Sequence, residues 1–222
     1  MKKLIFIVIF FSFISCSKKE NKCEDSELGV NCPDATFINE TNSPYVLPWE
    51  IGKTFTIGQS NCTDGSHFKG GYNQFAYDVN MPIGTPIVAI RSGIVIKVIE
   101  NFIDLEPGIN DYALVDQANL IVIEHEDGTI ADYLHLTLNG ALKDVGDNVV
   151  QGEKIALSGN TGWTSGPHLH FQVSQCEDTD PRPNYTWIEC ESIPITFKNT
   201  KEHCHGLLDR NLMPDGYTAE KY

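Results

Sequence analysis

The sequence predicts a mostly β fold, an antiparallel sheet or sandwich-like domain with few or no helices. Its apolar residues recur with a period of two, in short runs that glycine or proline bounds, such as residues 93–99. Residues 126–129 have a composition typical of a tight turn, so the apolar runs on either side are expected to pair as a hairpin. No helical apolar stripe is longer than about two turns, and no segment of the sequence repeats.

Four apolar runs carry the strand pattern. Residues 86–90 begin with a proline and residues 93–99 with a glycine, and both runs are rich in Ile and Val. Residues 120–125 and 130–136 lie on the two sides of the predicted turn. Branched aliphatic side chains favour strands because they pack well on a pleated surface. A further strand is predicted at residues 193–197.

Residues 1–16 have the composition of a secretory signal, with a basic start and an apolar run that ends at Ile14. That run is too short to span a membrane as a helix, which takes about 20 apolar residues. Ser15 and Cys16 follow, and a cysteine after a small residue at this place resembles the lipobox of bacterial lipoproteins. The resemblance implies a lipid on Cys16 and anchoring to a membrane that faces the periplasm or the cell surface. The alternative is an ordinary cleaved signal peptide, with Cys16 near the cut by accident.

The rest of the chain divides into three predicted parts. Residues 17–44 are polar and rich in turn formers, which is typical of a tether. Residues 45–175 hold the strand pattern and form the main domain. Residues 176–222 are a cysteine-containing C-terminal extension that is expected to pack on that domain. Together the last two parts are long enough to bury a core.

Cysteine usage agrees with export. Beyond Cys16 the chain has an even set, which suits disulfides in an oxidising compartment: Cys23, Cys32, Cys62, Cys176, Cys190 and Cys204. The sequence does not choose among the pairings, although one of the first two cysteines would pin the tether to the main domain. None has the Cys-x-x-Cys spacing of a structural zinc site. His203 and His205 flank Cys204, and we interpret this triplet as a disulfide cysteine between two exposed imidazoles.

Charge restricts the partners. The chain has 16 Lys and Arg residues against 30 Asp and Glu residues, a formal net charge of -14. Such an acidic surface repels nucleic acid and favours solubility, so no nucleic-acid partner is expected. The sequence leaves the oligomeric state open, and a monomer is favoured.

Two histidines stand two residues apart in a strand-like apolar run. Side chains at this spacing point to the same face of a strand, so His168 and His170 enter one groove together. Leu169 and Phe171 face the other way and anchor the strand in a core. A histidine pair alone is more often a solvated surface feature than a metal site, so this inference needs support from the rest of the chain.

Three further segments supply that support. The alternation in residues 133–136 places Tyr133 and His135 on one face of a strand and two leucines on the other. Asp78 alternates with apolar residues in a strand of its own. His67 lies upstream in a loop that contains glycine and serine. Taken singly, Asp78 and His67 are more simply surface groups.

Together these segments resemble the lysostaphin-type, or LytM-like, zinc endopeptidases, which cut peptide bonds in peptidoglycan. The resemblance covers residues 45–173 and implies a LytM-type β domain. It depends on elements that occur in the family's order: an Asp before Met-Pro-Ile-Gly-Thr-Pro-Ile-Val-Ala at 81–89, Gly-Ile-Val at 93–95, Tyr-x-His-Leu at 133–136, Val-Gly-Asp-Asn-Val-Val-Gln-Gly at 145–152 and Gly-Pro-His-Leu-His-Phe at 166–171. Any one of them alone is a weak signal.

The resemblance implies one zinc ion, Zn2+, held by His67, Asp78 and His170. Three protein ligands with a fourth position open to water are what a catalytic zinc needs. The resemblance also implies that His168 and His135 flank the attacking water as general base and transition-state stabilisers. Zinc lowers the pKa of water and polarises the scissile carbonyl, while a neutral imidazole moves the proton.

One position departs from the common family pattern. The first ligand usually lies four residues before the aspartate, where this chain has Gln74, a poor zinc ligand. The expected substitute is His67, because a branch of the family with Ser-His well before Ala-x-Asp resembles this chain more closely. His125 is the reserve ligand, although its place beside the turn favours a surface histidine. If neither histidine reaches the metal, the site lacks a ligand.

The main hypothesis is a zinc-dependent metallo-endopeptidase that hydrolyses cross-links or stem peptides of peptidoglycan at the cell envelope. Gln74 motivates the alternative, a catalytically degenerate envelope module that binds peptidoglycan or activates another hydrolase. A third hypothesis keeps the chemistry and changes the substrate to a glycine-rich or other extracellular protein. Two aromatic residues have open roles: Trp163 either lines the cleft or closes over the core, and Tyr133 either donates to an oxyanion or is a half-buried strand residue.

Overall fold

The computed structural model describes residues 32, 35–106, 108–176, 190–203 and 205–222. The predicted signal at 1–16, including Cys16, lies outside the described residues, as do Cys23 and Cys204. The described strands are β1 (Thr54–Phe55), β2 (Ile57–Gln59), β3 (Tyr77–Asn80), β4 (Pro86–Val88), β5 (Gly93–Ile99), β6 (Leu120–Glu124), β7 (Thr129–Leu134), β8 (Leu136–Ala141), β9 (Asn148–Val149), β10 (Lys154–Ser158), β11 (His168–Gln175), β12 (Glu191–Ser192) and β13 (Tyr217–Thr218).

Helical structure in the described residues is limited to short 3-10 helices at Glu40–Asn42, Gly65–His67 and Tyr112–Gln117. Across the same ranges, no helix has the length and apolar character that crossing a lipid bilayer demands.

All the strand pairs among the described residues are antiparallel. The main sheet has the order β2-β3-β11-β7-β6-β5-β9, and β12 pairs with β11 outside this path. A smaller sheet has the order β4-β10-β8, and β1 pairs with β13. The expected mostly β, antiparallel fold with few helices is therefore confirmed.

The predicted strands agree with the structure except at His135, which separates β7 from β8, and near the C-terminus. β6 and β7 form the expected hairpin, in which the His125 amide donates to the Thr129 carbonyl at 2.8 Å. Gly128 suits this turn because its φ of 81° is left-handed, a conformation that glycine adopts without steric cost. The predicted strand at 193–197 is wrong. Pairing with β11 ends at Ile193, whose amide donates to the Val173 carbonyl at 2.8 Å, and Pro194 has no amide hydrogen to continue the ladder.

β11 has one apolar side and one polar side. Leu169, Phe171 and Val173 are fully buried in the principal core on one face of the main sheet. His168 and His170 alternate with them and project from the other face, where both approach Asp78. The apolar half of the strand therefore fixes the backbone from which the two histidines project, as the sequence predicts.

Chain segments after β11 complete the principal core. Ile195, Phe197, Leu207 and Tyr217 are at most 1% exposed and pack in this core. The burial of Ile195 and Phe197 explains why residues 193–197 have a strand-like apolar pattern although pairing with β11 stops at Ile193.

Two disulfides join described cysteines. Cys32–Cys62 links the N-terminal segment to the connection between β2 and β3. Cys176–Cys190 links the end of β11 to the chain just before β12. Both bonds restrict the unfolded chain more than the folded one and so favour folding. The first of them shows that Cys32 pins the N-terminal segment to the sheet-bearing part of the molecule.

Candidate metal centre

The main sheet holds two of the expected ligands opposite each other. Asp78 in β3 and His170 in β11 are direct cross-strand partners. Their side chains project from the same face, and His170 Nδ1 lies 2.8 Å from Asp78 Oδ1. Because the strand ladder sets the spacing of such partners, the relative position of these two side chains follows from the fold.

His67 reaches the same point from a loop. It ends the 3-10 helix Gly65–His67 between β2 and β3 and is fully buried. Its Nε2 lies 3.4 Å from Asp78 Oδ1. One ligand atom each from His67, Asp78 and His170 lie within 4.8 Å of one another, and the described residues contain no second group of this kind.

The hydrogen bonds at His67 leave one nitrogen without a partner. His67 Nδ1 donates to the Ser60 carbonyl at 3.0 Å, so Nε2 carries the lone pair. Nε2 is buried and accepts no hydrogen bond, and its nearest neighbour, the Asp78 carboxylate, has no proton to offer. A buried acceptor in this state is costly, and a cation between the two groups satisfies both. Two imidazoles and a carboxylate are a ligand set that zinc accepts, so these residues fit one zinc ion.

The pKa values favour the metal-binding protonation states. Burial raises the pKa of Asp78, but its interactions with the imidazoles of His67, His170 and His168 outweigh burial and hold that pKa well below its usual value. Burial lowers the pKa of His170, and the Asp78 carboxylate offsets this only in part. At neutral pH the site therefore presents an ionised carboxylate beside a neutral imidazole.

Two more imidazoles stand beside this group. His168 Nε2 lies 3.7 Å from Asp78 Oδ1, and His168 Nδ1 donates to the Gly166 carbonyl at 2.8 Å. His135 Nδ1 donates to the Thr161 carbonyl at 2.7 Å, and its ring centre is 4.4 Å from that of His168. Burial, with repulsion from the histidines of β11, lowers the pKa of His135 to about 3. With Nδ1 as the donor, each ring keeps Nε2 as an acceptor.

The backbone at His135 differs from the sequence expectation. His135 separates β7 from β8 with a φ of 61°, a left-handed conformation that breaks the strand alternation. Tyr133 therefore does not share a face with His135. It is fully buried in the principal core, and its hydroxyl accepts from the Ile90 amide at 2.9 Å. The oxyanion role considered for Tyr133 is wrong for this reason, and Leu134 lines the cleft instead.

Four of the site residues open into a cleft of about 510 Å³: Asp78, His135, His168 and His170. Phe68, which follows His67, and the pair Tyr112 and Trp163 also line it. The rings of Tyr112 and Trp163 meet edge to face with their centres 5.1 Å apart. Trp163 therefore lines the cleft, which was one of its two expected roles, and the cleft has aromatic groups suited to a peptide or other amphipathic substrate.

Gln74 lies outside the ligand group and has a structural position. Its Nε2 donates to Cys32 Sγ at 3.0 Å, and its Oε1 accepts from the Gly70 amide at 2.7 Å. His67 supplies the imidazole nitrogen that Gln74 does not, so the group has three possible ligands. The concern that this departure leaves the site short of a ligand is therefore not supported.

The other two histidines of interest are structural. His125 Nδ1 lies 2.9 Å from Thr129 Oγ1 at the hairpin turn, the end of β7 away from His135. His125 is thus not a reserve ligand, and it is 3% exposed instead of lying on the surface as expected. His203 was expected to be exposed but is 4% exposed, because its Nε2 accepts from the Phe197 amide at 2.8 Å inside the core.

The sequence does not reveal the groups that orient the imidazoles. They are the backbone carbonyls of Ser60, Thr161 and Gly166, and every residue type has such a carbonyl. No sequence motif identifies Tyr112 as a residue of the cleft either. The only signal for Tyr112 is its place in the long connection between β5 and β6, because long loops without regular strands often carry function.

Comparisons with known proteins agree with this geometry. Residues 72–181 match the model of peptidase family M23. An uncharacterized metalloprotease of Buchnera aphidicola subsp. Baizongia pistaciae (strain Bp) is 36% identical over 126 residues, which cover 57% of this chain and 28% of that protein. The peptidoglycan DD-endopeptidase ShyA of Vibrio cholerae serotype O1 is 36% identical over 96 residues, covering 43% and 19%. Lysostaphin of Staphylococcus simulans is 35% identical over 119 residues, covering 51% and 21%. The matches thus span less than a third of the length of these relatives.

This antiparallel β domain has a His-Asp-His group at the wall of a cleft and two further imidazoles beside that group. These features are typical of the metallo-endopeptidase class. Residues 72–181 belong to peptidase family M23, and the expected membership of the lysostaphin-type, LytM-like family is confirmed.

Proposed function

We propose that this protein is a zinc-dependent metallo-endopeptidase that hydrolyses peptide bonds in the cross-links or stem peptides of peptidoglycan. The observation that carries the proposal is the group His67, Asp78 and His170, in which a buried nitrogen without a partner faces a carboxylate beside an open cleft. The family match supports the reaction class, and the names of two relatives, a peptidoglycan DD-endopeptidase and lysostaphin, support the substrate.

In this proposal His67, Asp78 and His170 hold one zinc ion and leave the cleft side free for water and substrate. When bound, zinc supplies a Lewis acid that polarises the scissile carbonyl and lowers the pKa of water. Asp78 contributes the negative charge that the two neutral imidazoles lack. The Ser60 carbonyl keeps the His67 ring in the tautomer and orientation that binding needs.

His168 transfers the proton, and His135 positions the attacking water. As water attacks the carbonyl carbon, its proton passes to His168 Nε2, the free nitrogen of a ring whose Nδ1 already donates to Gly166. The same nitrogen then gives the proton to the leaving amine as the C–N bond breaks, which balances the hydrolysis. His135 Nε2 accepts a hydrogen bond from the attacking water and keeps it in line, which stabilises the transition state.

We also propose that the protein is exported and lipid-anchored at the cell envelope. The two disulfides support export because they form in oxidising compartments. The names of the relatives point to the same place. This proposal includes a lipid on Cys16 and a tether at 17–44. It also includes a catalytic domain at 45–175 and a C-terminal extension at 176–222 that packs on it.

Purified sacculi test the reaction. The mature protein loaded with zinc is expected to release muropeptides from them, and His168→Ala to abolish the release because the proton then has no acceptor. His205→Gln is the matched control, since His205 does not line the cleft and its replacement is expected to leave the release unchanged. Absence of release by the wild-type protein over a range of pH and zinc concentration overturns the proposal.

A glycine-rich peptide, incubated in parallel with the sacculi, tests the substrate. Release from sacculi is expected to be the faster reaction. If the peptide is cleaved and nothing is released from sacculi, the substrate is a glycine-rich extracellular protein and not peptidoglycan. The proposed chemistry is unaffected by that result.

A further inference from the structure

The three proposed ligands differ in what holds them in place. Asp78 and His170 are cross-strand partners, so the ladder between β3 and β11 sets their separation. His67 lies in the connection between β2 and β3, where no strand pairing holds it. A ligand on a loop binds weakly unless other contacts order that loop beforehand, because ordering the loop costs conformational entropy.

Contacts of Gln74 order this loop. The Cys62 amide donates to the Gln74 carbonyl at 2.6 Å and closes the loop at its base. Gln74 Oε1 accepts from the Gly70 amide at 2.7 Å, three residues after His67. Gln74 Nε2 donates to Cys32 Sγ at 3.0 Å and lies 3.7 Å from Cys62 Sγ. One amide group therefore bridges the disulfide and the turn that follows His67.

The disulfide holds the other side of the same loop. Cys32 and Cys62 are 2% and 3% exposed, so their bond is enclosed by the fold. Cys62 comes two residues after Ser60, whose carbonyl orients His67 Nδ1 at 3.0 Å. Ser60 Oγ in turn donates to the Leu207 carbonyl at 2.5 Å. The chain is thus fixed on both sides of His67, at residues 60–62 before it and at residue 70 after it.

We propose that Gln74 and the Cys32–Cys62 disulfide are positioning residues for His67 and that they thereby set the zinc affinity of the site. This inference rests on the proposed role of His67 as a ligand. Neither Gln74 nor the disulfide lines the cleft or belongs to the ligand group. They act by keeping His67 Nε2 directed at Asp78 before the metal arrives. Contacts that orient a ligand in this way are typically worth about 10–100-fold in metal affinity.

Zinc dissociation constants, measured on the folded chain by competition with a chromophoric chelator, test the proposal. Gln74→Leu is expected to weaken zinc binding at least about tenfold, because it removes both side-chain contacts and leaves the disulfide intact. Cys32→Ser combined with Cys62→Ser is expected to weaken it by a similar factor. The triple variant is expected to lose little more than either alone, because the residues act on the same loop and their effects are not additive.

Val149→Ala is the matched control for a general loss of stability. Val149 is 2% exposed in β9, which lies at the edge of the main sheet opposite to β2. Its truncation destabilises the core without touching the His67 loop, and zinc affinity is expected to stay within about twofold of the wild type. A loss of affinity in Val149→Ala equal to that in Gln74→Leu overturns the positioning role.

His67→Ala separates this inference from the proposed function. If His67→Ala binds zinc as tightly as the wild type, the proposed ligand set fails and the inference fails with it. If His67→Ala loses zinc while Gln74→Leu and the cysteine variant keep wild-type affinity, only the positioning inference is overturned. Should the cysteine variant not fold, as judged by circular dichroism, Gln74→Leu decides alone.

Discussion

Three of the four imidazoles of the site have a nitrogen close to Asp78 Oδ1. This oxygen lies 2.8 Å from a nitrogen of His170, 3.4 Å from one of His67 and 3.7 Å from one of His168. The rings of His67 and His168 are each held by a backbone carbonyl through Nδ1, which leaves Nε2 directed at the carboxylate. Fixed tautomers around one ionised oxygen make a centre that is prepared for a cation.

Asp78→Asn keeps the shape of this side chain and removes its charge. The variant is expected to bind zinc at least about tenfold more weakly, because the remaining donors are neutral. Equilibrium dialysis followed by metal analysis measures the change. Asp127→Asn, at the hairpin turn away from the cleft, is the control and is expected to retain zinc. Full zinc retention by Asp78→Asn contradicts the ligand role.

His125 makes the stability of the fold sensitive to acid. Burial, with a smaller effect of the Arg91 charge, lowers the pKa of His125 from 6.5 to about 4. Between these two values the unfolded chain binds a proton at this residue and the folded chain does not. The free energy of unfolding therefore falls as the pH falls through this window, by up to about 3 kcal/mol from His125.

His125→Gln is expected to remove this part of the pH dependence. Urea unfolding near pH 7 and near pH 4 measures it, and the stability advantage of the wild type over the variant is expected to shrink towards acid. His205→Gln serves as the comparison. A wild-type advantage that does not change with pH contradicts the lowered pKa of His125 in the folded chain.

At the scale of single elements, β11 carries part of the site and part of the core. Phe171 is fully buried, with its ring centre 5.5 Å from that of Tyr77 and 5.9 Å from that of Phe197. Phe171→Ala is expected to lower the free energy of unfolding by about 3–5 kcal/mol, because it leaves a cavity in the principal core. Urea unfolding of the zinc-free protein measures the loss.

Leu138→Ala in β8 is the control for this truncation, since Leu138 is 40% exposed. Its effect on the free energy of unfolding is expected to stay within about 0.5 kcal/mol. If the two variants lose equal amounts of unfolding free energy, the packing of Phe171 does not stabilise β11.

Strand alternation predicts much of the scaffold of the site. It identifies β5, the hairpin of β6 and β7, and the face shared by His168 and His170. It fails at His135, because the period of two holds only while the backbone is extended, and nothing in the residue type indicates a φ of 61° there. It also fails at residues 193–197, where core burial produces an apolar pattern that continues after pairing with β11 has stopped at Ile193.

The proposed ligand group is predictable only in part. Alternation places Asp78 and His170 on polar strand faces, and the family resemblance adds His67. What brings His67 to the other two is a loop closed by the Cys32–Cys62 disulfide and by Gln74. Such contacts join residues that are distant in sequence and leave no periodic signal, so they need the three-dimensional structure.

At the scale of the whole molecule, the cleft joins the connection between β2 and β3 with the connection between β5 and β6. The first contributes Phe68 and the second Tyr112, which packs against Trp163. Phe68 and Tyr112 lie outside the sheets, so the strand ladder that sets the separation of Asp78 and His170 does not depend on them. We therefore expect these aromatic residues to affect substrate binding more than the chemical step.

Tyr112→Ala tests this division. Tyr112 is 66% exposed, so its loss is expected to leave stability and zinc content unchanged. KM for a soluble substrate peptide is expected to rise about fivefold, the value of one aromatic contact, while kcat changes little. Tyr222→Ala, at an exposed tyrosine away from the cleft, is the control. A fall in kcat with an unchanged KM contradicts the binding role of Tyr112.

The direct opposition of Asp78 and His170 also affects how the chain matures. Only one alignment of β3 with β11 brings these two donors together, and a slip by a single residue would send His170 into the apolar interior. Capture of the ion adds stability to the correctly aligned chain and none to a slipped one. We therefore expect metal binding to favour the native strand register, so that a chain with misaligned strands stays less stable than a correctly aligned one.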